Sequence, residues 1–536
     1  MAKSPQRWLY AFWLAGIAGF ALLHAVHLEA DFPNHSPWMS DWAKYTDEGW
    51  YANGALHAHL LGNWYLPGEF NPAPVTPVWP FLEWILFCFT GVSVEAARGL
   101  AIACFFANLV LSYLLLRANG TRWMALLALT MMVTSPFLYC FSRLAILEPL
   151  LTTLTLAALN LAVRLPRLRW PVLGAALVGL LFALMVLTKT TGIFLLPALV
   201  WALVGARGQN PKLALRCGAA AAGSATLVLG AWMGLIARLG LLADFQNYFQ
   251  MNTYIKPPEH YWPLVSLWWS FHGGLWIDRL LVPLAGLVTL SALAAWKGWG
   301  SKLLLDPVFG ASIWGIAGCV LFMTVQNHPQ PRYFAVAAVF CFFMVAEGAE
   351  ALVMHAIAAK RAGMGSGGAM WAQVPGVALL TAVAVAACAN AAWTLNYAAH
   401  PEYSFVNAVR GVTHYMDTHP NGNRLLVSMS GDQITLFSKV PAMGEDFGTE
   451  ELDSRLEAYR PGWFASWNDL DPEILEALHE RYSVEQVATF RAFDHPDRNL
   501  LVLFKLHPLP HAQWRDPGEQ NLQVLLAGDK VGVQVE

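Results

Sequence analysis

The sequence predicts a polytopic α-helical membrane protein, with about eleven transmembrane helices and a C-terminal extracytoplasmic α/β domain. Three observations carry that prediction. Of the 536 residues, 56% are hydrophobic and only 13% are charged, against roughly 25% charged in an ordinary soluble domain. Apolar runs alternate with short polar connections through the first 395 residues, most of them near the length a helix needs to cross hydrocarbon. Beyond residue 396 the runs stop and acidic residues gather. The expected units are a transmembrane domain over 1–395, which includes an external loop at 29–78, and an extracytoplasmic α/β domain over 396–536.

The first run, 8–28, follows Lys3 and Arg7 and opens with the bulky Trp8, Tyr10, Phe12 and Trp13. Such a core reads as an uncleaved anchor rather than a secretory peptide. Ten further crossings are expected near 95–116, 123–141, 144–163, 172–188, 191–206, 214–237, 277–297, 308–325, 332–354 and 373–395. The shorter ones need tilt or a thin bilayer. Segment 80–89 is apolar but about half a span long, and it follows Pro72, Pro74 and Pro77. An interfacial or re-entrant helix suits it better than a twelfth crossing.

Basic residues select the direction. Lys3 and Arg7, Arg117 and Arg122, Arg164, Arg167 and Arg169, Arg207, Lys212 and Arg216, Lys297 and Lys302, and Lys360 and Arg361 recur at every second connection. The positive-inside rule puts those connections and the N-terminus in the cytoplasm. Connections 29–78 and 238–274, and everything after 396, are then expected on the periplasmic or extracellular side of a plasma or bacterial inner membrane.

In the tail, 425–429, 487–493 and 500–506 read as strands and 471–483 as a helix. No cysteine lies there. All seven, Cys88, Cys104, Cys140, Cys217, Cys319, Cys341 and Cys388, sit in or beside apolar runs without a zinc spacing and read as free buried thiols. His24 with His27 and His57 with His59 also lack a zinc-protease spacing. Glycine-rich 363–368 lacks the strand and Lys-Ser pair of a phosphate loop, and reads as a linker. A net charge of -3 gives no general attraction to nucleic acid.

Four polar clusters fall on the expected outer face. In the first loop, Asp47 and Tyr51 stand one turn apart if the segment is helical, with Thr46 as a cap. Asp47 and Glu48 are either solvated charges or acids facing a membrane-bound substrate. Glu148 lies near lipid depth, where an unpaired charge is costly, and Arg143 is its nearest partner in sequence. The two either pair structurally, or divide an anionic substrate and an acceptor between them. Lys189, beside Thr188 and Thr190, either neutralises phosphate or snorkels to the aqueous boundary. Arg332 and Tyr333 suit a phosphate and a sugar, while His328 can merely satisfy the turn. The rings of 238–274, including Tyr248, Tyr254, Trp262 and Trp268, either line a substrate entrance or anchor the bilayer interface.

Taken in order, Asp47 with Glu48, Arg143 with Glu148, Lys189 with Thr190, Thr191 and Gly192, and His328 with Arg332 and Tyr333 resemble a membrane glycosyltransferase. The resemblance is to the C-type glycosyltransferase superfamily, especially the protein O-mannosyltransferase and lipid A aminoarabinose transferase group, over most of 1–395. It implies catalytic carboxylates at Asp47 and Glu148. It implies substrate or phosphate contacts from Glu48, Tyr51, Arg143, Lys189, His328, Arg332 and Tyr333. The implied donor is a sugar on polyprenyl phosphate, and the acceptor a lipid, glycan or protein reached from the same membrane face. No organic cofactor is implied; a divalent cation is left open, with no metal ligand identified. The proline-rich loop departs from the group in carrying no lysine between Asn71 and Pro77. The implied chemistry is direct, inverting displacement, with Asp47 activating the acceptor and Lys189 and Arg332 meeting the departing phosphate. A transporter of lipid-linked sugar and a membrane scaffold for envelope glycan assembly are the competing classes.

Overall fold

Lipid offers no hydrogen bonds, so apolar segments satisfy their backbone within helices. The computed structural model describes residues 5–515 except 65, 119, 206–210, 253–280, 327–329, 363–365 and 446. Among the described residues, seven helices are long and apolar enough to cross a membrane, or eight if one bent pair is a single span. The expected eleven is therefore not reached by length. Three of the expected crossings correspond to shorter apolar helices, Pro5–Leu23, Leu196–Gly205 and Leu281–Ala294.

Two of these shortenings, and one break, have local causes. The first helix stops at Leu23 because His24 turns inward, its ring contacting the Ser142 hydroxyl at 3.0 Å and the Val133 carbonyl at 3.2 Å. The run at 123–141 breaks into Arg122–Thr134 and Pro136–Ser142, bent by 66°. Pro136 lacks the N–H to continue a helix, and Ser135 caps the new one by accepting the Leu138 N–H at 3.2 Å. The run at 191–206 starts as a 3-10 turn, Thr190–Leu195, before becoming α-helical. Segment 80–89 forms the 13-residue helix Val78–Thr90.

Tight packing holds the long helices side by side. A Cβ on Gly179 would collide with the backbone of Ala221, so helices Pro171–Thr188 and Pro211–Arg238 approach to backbone contact. Helix Ala335–Arg361 is central: most of its first fifteen residues are fully enclosed. Five of the seven cysteines are buried, as expected, but Cys88 and Cys388 are exposed.

The tail folds around a five-stranded mixed sheet of order β2-β1-β3-β5-β4. Its strands are β1 Leu426–Val427, β2 Ala442–Met443, β3 Trp463–Trp467, β4 Tyr482–Arg491 and β5 Leu500–Pro508. Strand β1 pairs parallel with β2 and β3, whereas β5 pairs antiparallel with β3 and β4. The helix expected over 471–483 ends at His479, because Tyr482 onward pairs along β5.

This sheet shares its core with loop 29–78. Tyr45 belongs to the apolar cluster on one side, while Leu61 and Leu66 belong to the other. The Asp31 carboxylate accepts the backbone N–H groups of Phe405 at 2.8 Å and Val406 at 3.2 Å, capping helix Ser404–Thr418. Glu69 accepts from Arg455 at 2.8 Å and from the Gly444 N–H at 2.9 Å. Loop 29–78 is thus clamped between the membrane helices and the tail.

Candidate active site

Helix Asp47–Leu61 of the loop begins at the site. Thr46 occupies its N-cap without a capping side-chain bond; its hydroxyl donates instead to Asp47 Oδ1 at 3.0 Å. Asp47 and Glu48 occupy the first helical turn, where the exposed N–H dipoles favour negative charge. Adjacent helical residues diverge by about 100°, so the two carboxylates face different neighbours.

Asp47 pairs with the Arg332 guanidinium. That arginine sits on the 3-10 turn Pro331–Phe334, immediately before helix Ala335–Arg361. The turn is stitched to the loop: the Arg332 N–H donates to Asp41 Oδ2 at 3.0 Å, and the Trp42 N–H donates to Gln330 Oε1 at 3.0 Å. Arg332 also pairs with Asp41 Oδ1 through its side chain. Its Nε lies 3.7 Å from Glu148 Oε1.

Glu148 begins a membrane helix, Leu147–Arg164, and pairs with Lys189 at the end of helix Pro171–Thr188. Lys189 Nζ and the Arg332 guanidinium lie 4.2 and 4.9 Å from the Tyr333 ring centroid. Asp41, Asp47, Glu148, Lys189 and Arg332 are each no more than 7% exposed. Charges buried this deeply require mutual compensation. Three carboxylates here face two cations. Glu148 Oε2 has no hydrogen-bond partner among the described residues and borders a cavity of about 20 Å³.

Burial raises the Asp47 carboxyl above its ordinary value; Arg332 pulls it back down, while Asp41 and Glu148 add to the rise. Burial likewise holds the Tyr51 phenol well above its ordinary value, with the Asp47 charge adding to the effect. Tyr51 lies one turn along the helix from Asp47, as its spacing predicts. An aromatic wall continues from the same helix: Trp50 stacks on Phe70 at 4.6 Å, and Phe70 stacks on Tyr248 at 5.8 Å.

The other expected site residues stand elsewhere. Arg143 does not partner Glu148. It caps helix Pro136–Ser142, bonds the Tyr139 hydroxyl, and donates at 2.6 Å to the carbonyls of Val26 and His27. The chain from Arg143 to Ile146 is not helical, so the expected proximity is lost. Glu48 turns to Arg98 through two hydrogen bonds of 2.7 and 2.6 Å, and accepts from the Ala145 N–H at 2.8 Å and Gln433 at 3.1 Å. His328 lies outside the described residues, as do Tyr254, Trp262 and Trp268. Asp41 is the acid that sequence reasoning passed over, although it stands in the same loop. No group of three or more His, Cys, Asp or Glu among the described residues is arranged to hold a metal ion.

No protein-family model and no curated protein matches the chain. Solved structures do. ArnT from Cupriavidus metallidurans in the apo state superimposes with a TM-score of 0.59 at 14% identity, covering 92% of this chain and 98% of that chain. The same protein bound to undecaprenyl phosphate gives 0.59 at 14%, covering 93% and 98%. Arabinofuranosyltransferase AftD from Mycobacteria gives 0.50 at 15%, covering 95% of this chain and 40% of its own. At such identities the likeness shows the fold alone: the chain shares the membrane architecture of these structures.

Proposed function

We propose that the chain transfers a sugar from a polyprenyl-phosphate donor to a cell-envelope acceptor at the extracytoplasmic face. The observation that carries the reading is the convergence of Asp47, Glu148, Lys189 and Arg332, drawn from four separate stretches of chain, into one buried cluster. The likeness to a structure described as bound to undecaprenyl phosphate supports the choice of donor. The basic connections at the opposite end support an outward-facing site.

In this reading the donor phosphate competes with carboxylates for Lys189 and Arg332. Its arrival loosens Arg332 from Asp47 and frees that carboxylate to accept the acceptor's proton. The acceptor oxygen attacks the anomeric carbon as the bond to the phosphate oxygen breaks. Both bonding electrons leave with the polyprenyl phosphate, whose charge Lys189 and Arg332 stabilise. One displacement inverts the anomeric configuration. Glu148 holds Lys189 in place, and the Trp50, Phe70 and Tyr248 rings offer faces for a sugar.

The test is reconstitution in liposomes with a panel of radiolabelled polyprenyl-phosphate sugars, nucleotide sugars and candidate acceptors. Transfer from a polyprenyl-phosphate sugar supports the proposal. Passage of intact sugar lipid between leaflets without transfer replaces it with transport.

A further inference from the structure

A second polar cavity lies at the far end of the bundle. Glu347 follows Arg332 by fifteen residues, through the 3-10 turn and into helix Ala335–Arg361, a displacement of about 22 Å at ~1.5 Å per residue. The cavity measures about 610 Å³ and is lined by Glu347, Glu350, Asp306, Lys297, Lys302 and Trp299, among others. None of these contributes to the outer cluster.

Glu347 is the informative group. It is only 7% exposed, and its Oε2 is buried without a hydrogen-bond partner among the described residues. Its neighbours are otherwise engaged: Glu350 Oε1 accepts the Thr121 N–H at 2.9 Å, and Asp306 caps helix Pro307–Val325 through the Val308 N–H at 2.8 Å. A buried carboxylate oxygen calls for a donor, preferably cationic. Lys297 and Lys302 are exposed side chains of the same cavity and supply the opposite sign. Beside them Met354, Trp296 and Leu305 are exposed apolar side chains that suit acyl chains.

We propose that this cavity binds the headgroup of an aminophospholipid, with a primary ammonium on Glu347 and the phosphate on Lys297 and Lys302. A primary ammonium carries three N–H donors. A choline headgroup has none, and a glycerol headgroup has no cation. The basic connections put this end in the cytoplasmic leaflet. The site would tie the inner end of the bundle to its lipid.

The test uses the full chain, purified in detergent and stripped of lipid, in native mass spectrometry with phosphatidylethanolamine, phosphatidylcholine and phosphatidylglycerol of identical acyl chains. Phosphatidylethanolamine is expected to bind about fivefold tighter than either of the others. Glu347→Gln is expected to level the three lipids while phosphatidylglycerol binding stays at the native value, which reports an intact fold. Lys302→Ala, at an exposed position, is expected to weaken phosphatidylethanolamine and phosphatidylglycerol alike. Equal native binding of all three lipids overturns the proposal, as does an undiminished preference in the Glu347→Gln protein or undiminished phosphatidylethanolamine binding in the Lys302→Ala protein. Glycerophosphoethanolamine, which lacks acyl chains, is expected not to displace the lipid. Displacement at equal concentration would assign the cavity to a soluble zwitterion instead.

Discussion

Arg332 and Asp47 form an ion pair that joins the turn opening a membrane helix to the first residue of helix Asp47–Leu61 in loop 29–78. Because Arg332 also grips Asp41 through both backbone and side chain, the loop stays anchored when Asp47 loses its charge. Asp47 can therefore be altered without releasing the loop.

The pH dependence of transfer follows from that geometry. A general base works ionised, and the Asp47 carboxyl sits above its ordinary value. Transfer is expected to fall as pH drops through this raised value, above the usual aspartate range near ~3.9. Asp41→Asn removes a like charge that raises the Asp47 value and leaves Arg332 freer to lower it. The acid limb of the kcat profile should move to lower pH. A shift to higher pH would contradict the assigned electrostatics.

Lys189 pairs with Glu148 in the resting site, and in the proposed reaction it meets the departing phosphate. Lys189→Met, which keeps the stem and removes the charge, should lower kcat about 100-fold, the scale of losing one donor to a developing anion. Single-turnover measurements at saturating donor check this. A raised KM with unchanged kcat would restrict Lys189 to ground-state binding.

Glu48 makes the contrasting prediction. Its pair with Arg98 is buried, and removing one partner of such a pair typically costs about 3–5 kcal/mol. Glu48→Ala should lower the Tm markedly, while the protein that remains folded keeps turnover within about tenfold of native, a loss of ~1.4 kcal/mol in barrier. Thermal unfolding and active-fraction titration separate the two effects.

Gly49 lets the loop helix touch the tail. Its N–H donates to Gln433 Oε1 at 2.8 Å, and any Cβ there would run into the backbone of Asp432 and Gln433. Gly49→Leu should cost about 1–3 kcal/mol or more and displace Asp47. Lower Tm and lower kcat together are expected. A native Tm would show that the loop and tail can separate freely.

The membrane character and most helix positions were legible because apolar length is a strong local signal. The breaks were less so. Pro136 is visible in the sequence, but its 66° bend depends on tertiary room for the second helix. Asp47, Glu148, Lys189 and Arg332 could be placed at one end from topology alone. Their partners could not. Arg143 and Glu148 are near in sequence, yet a non-helical stretch separates them, whereas Lys189 arrives from the next helix. Asp41 looked like one more loop acid because its role depends on meeting Arg332. Arg98, alone in an apolar run, gave no hint that it neutralises Glu48. Strands β1 and β2, two residues each, are too short for any alternation to register.

The most direct measurement compares native and Asp47→Asn protein in proteoliposomes, following radiolabelled sugar transferred from a polyprenyl-phosphate donor. With Arg332 still held by Asp41, donor binding should persist while turnover falls by about 10²–10⁴-fold. Equal turnover by a folded Asp47→Asn protein would contradict the assignment of Asp47 as the base.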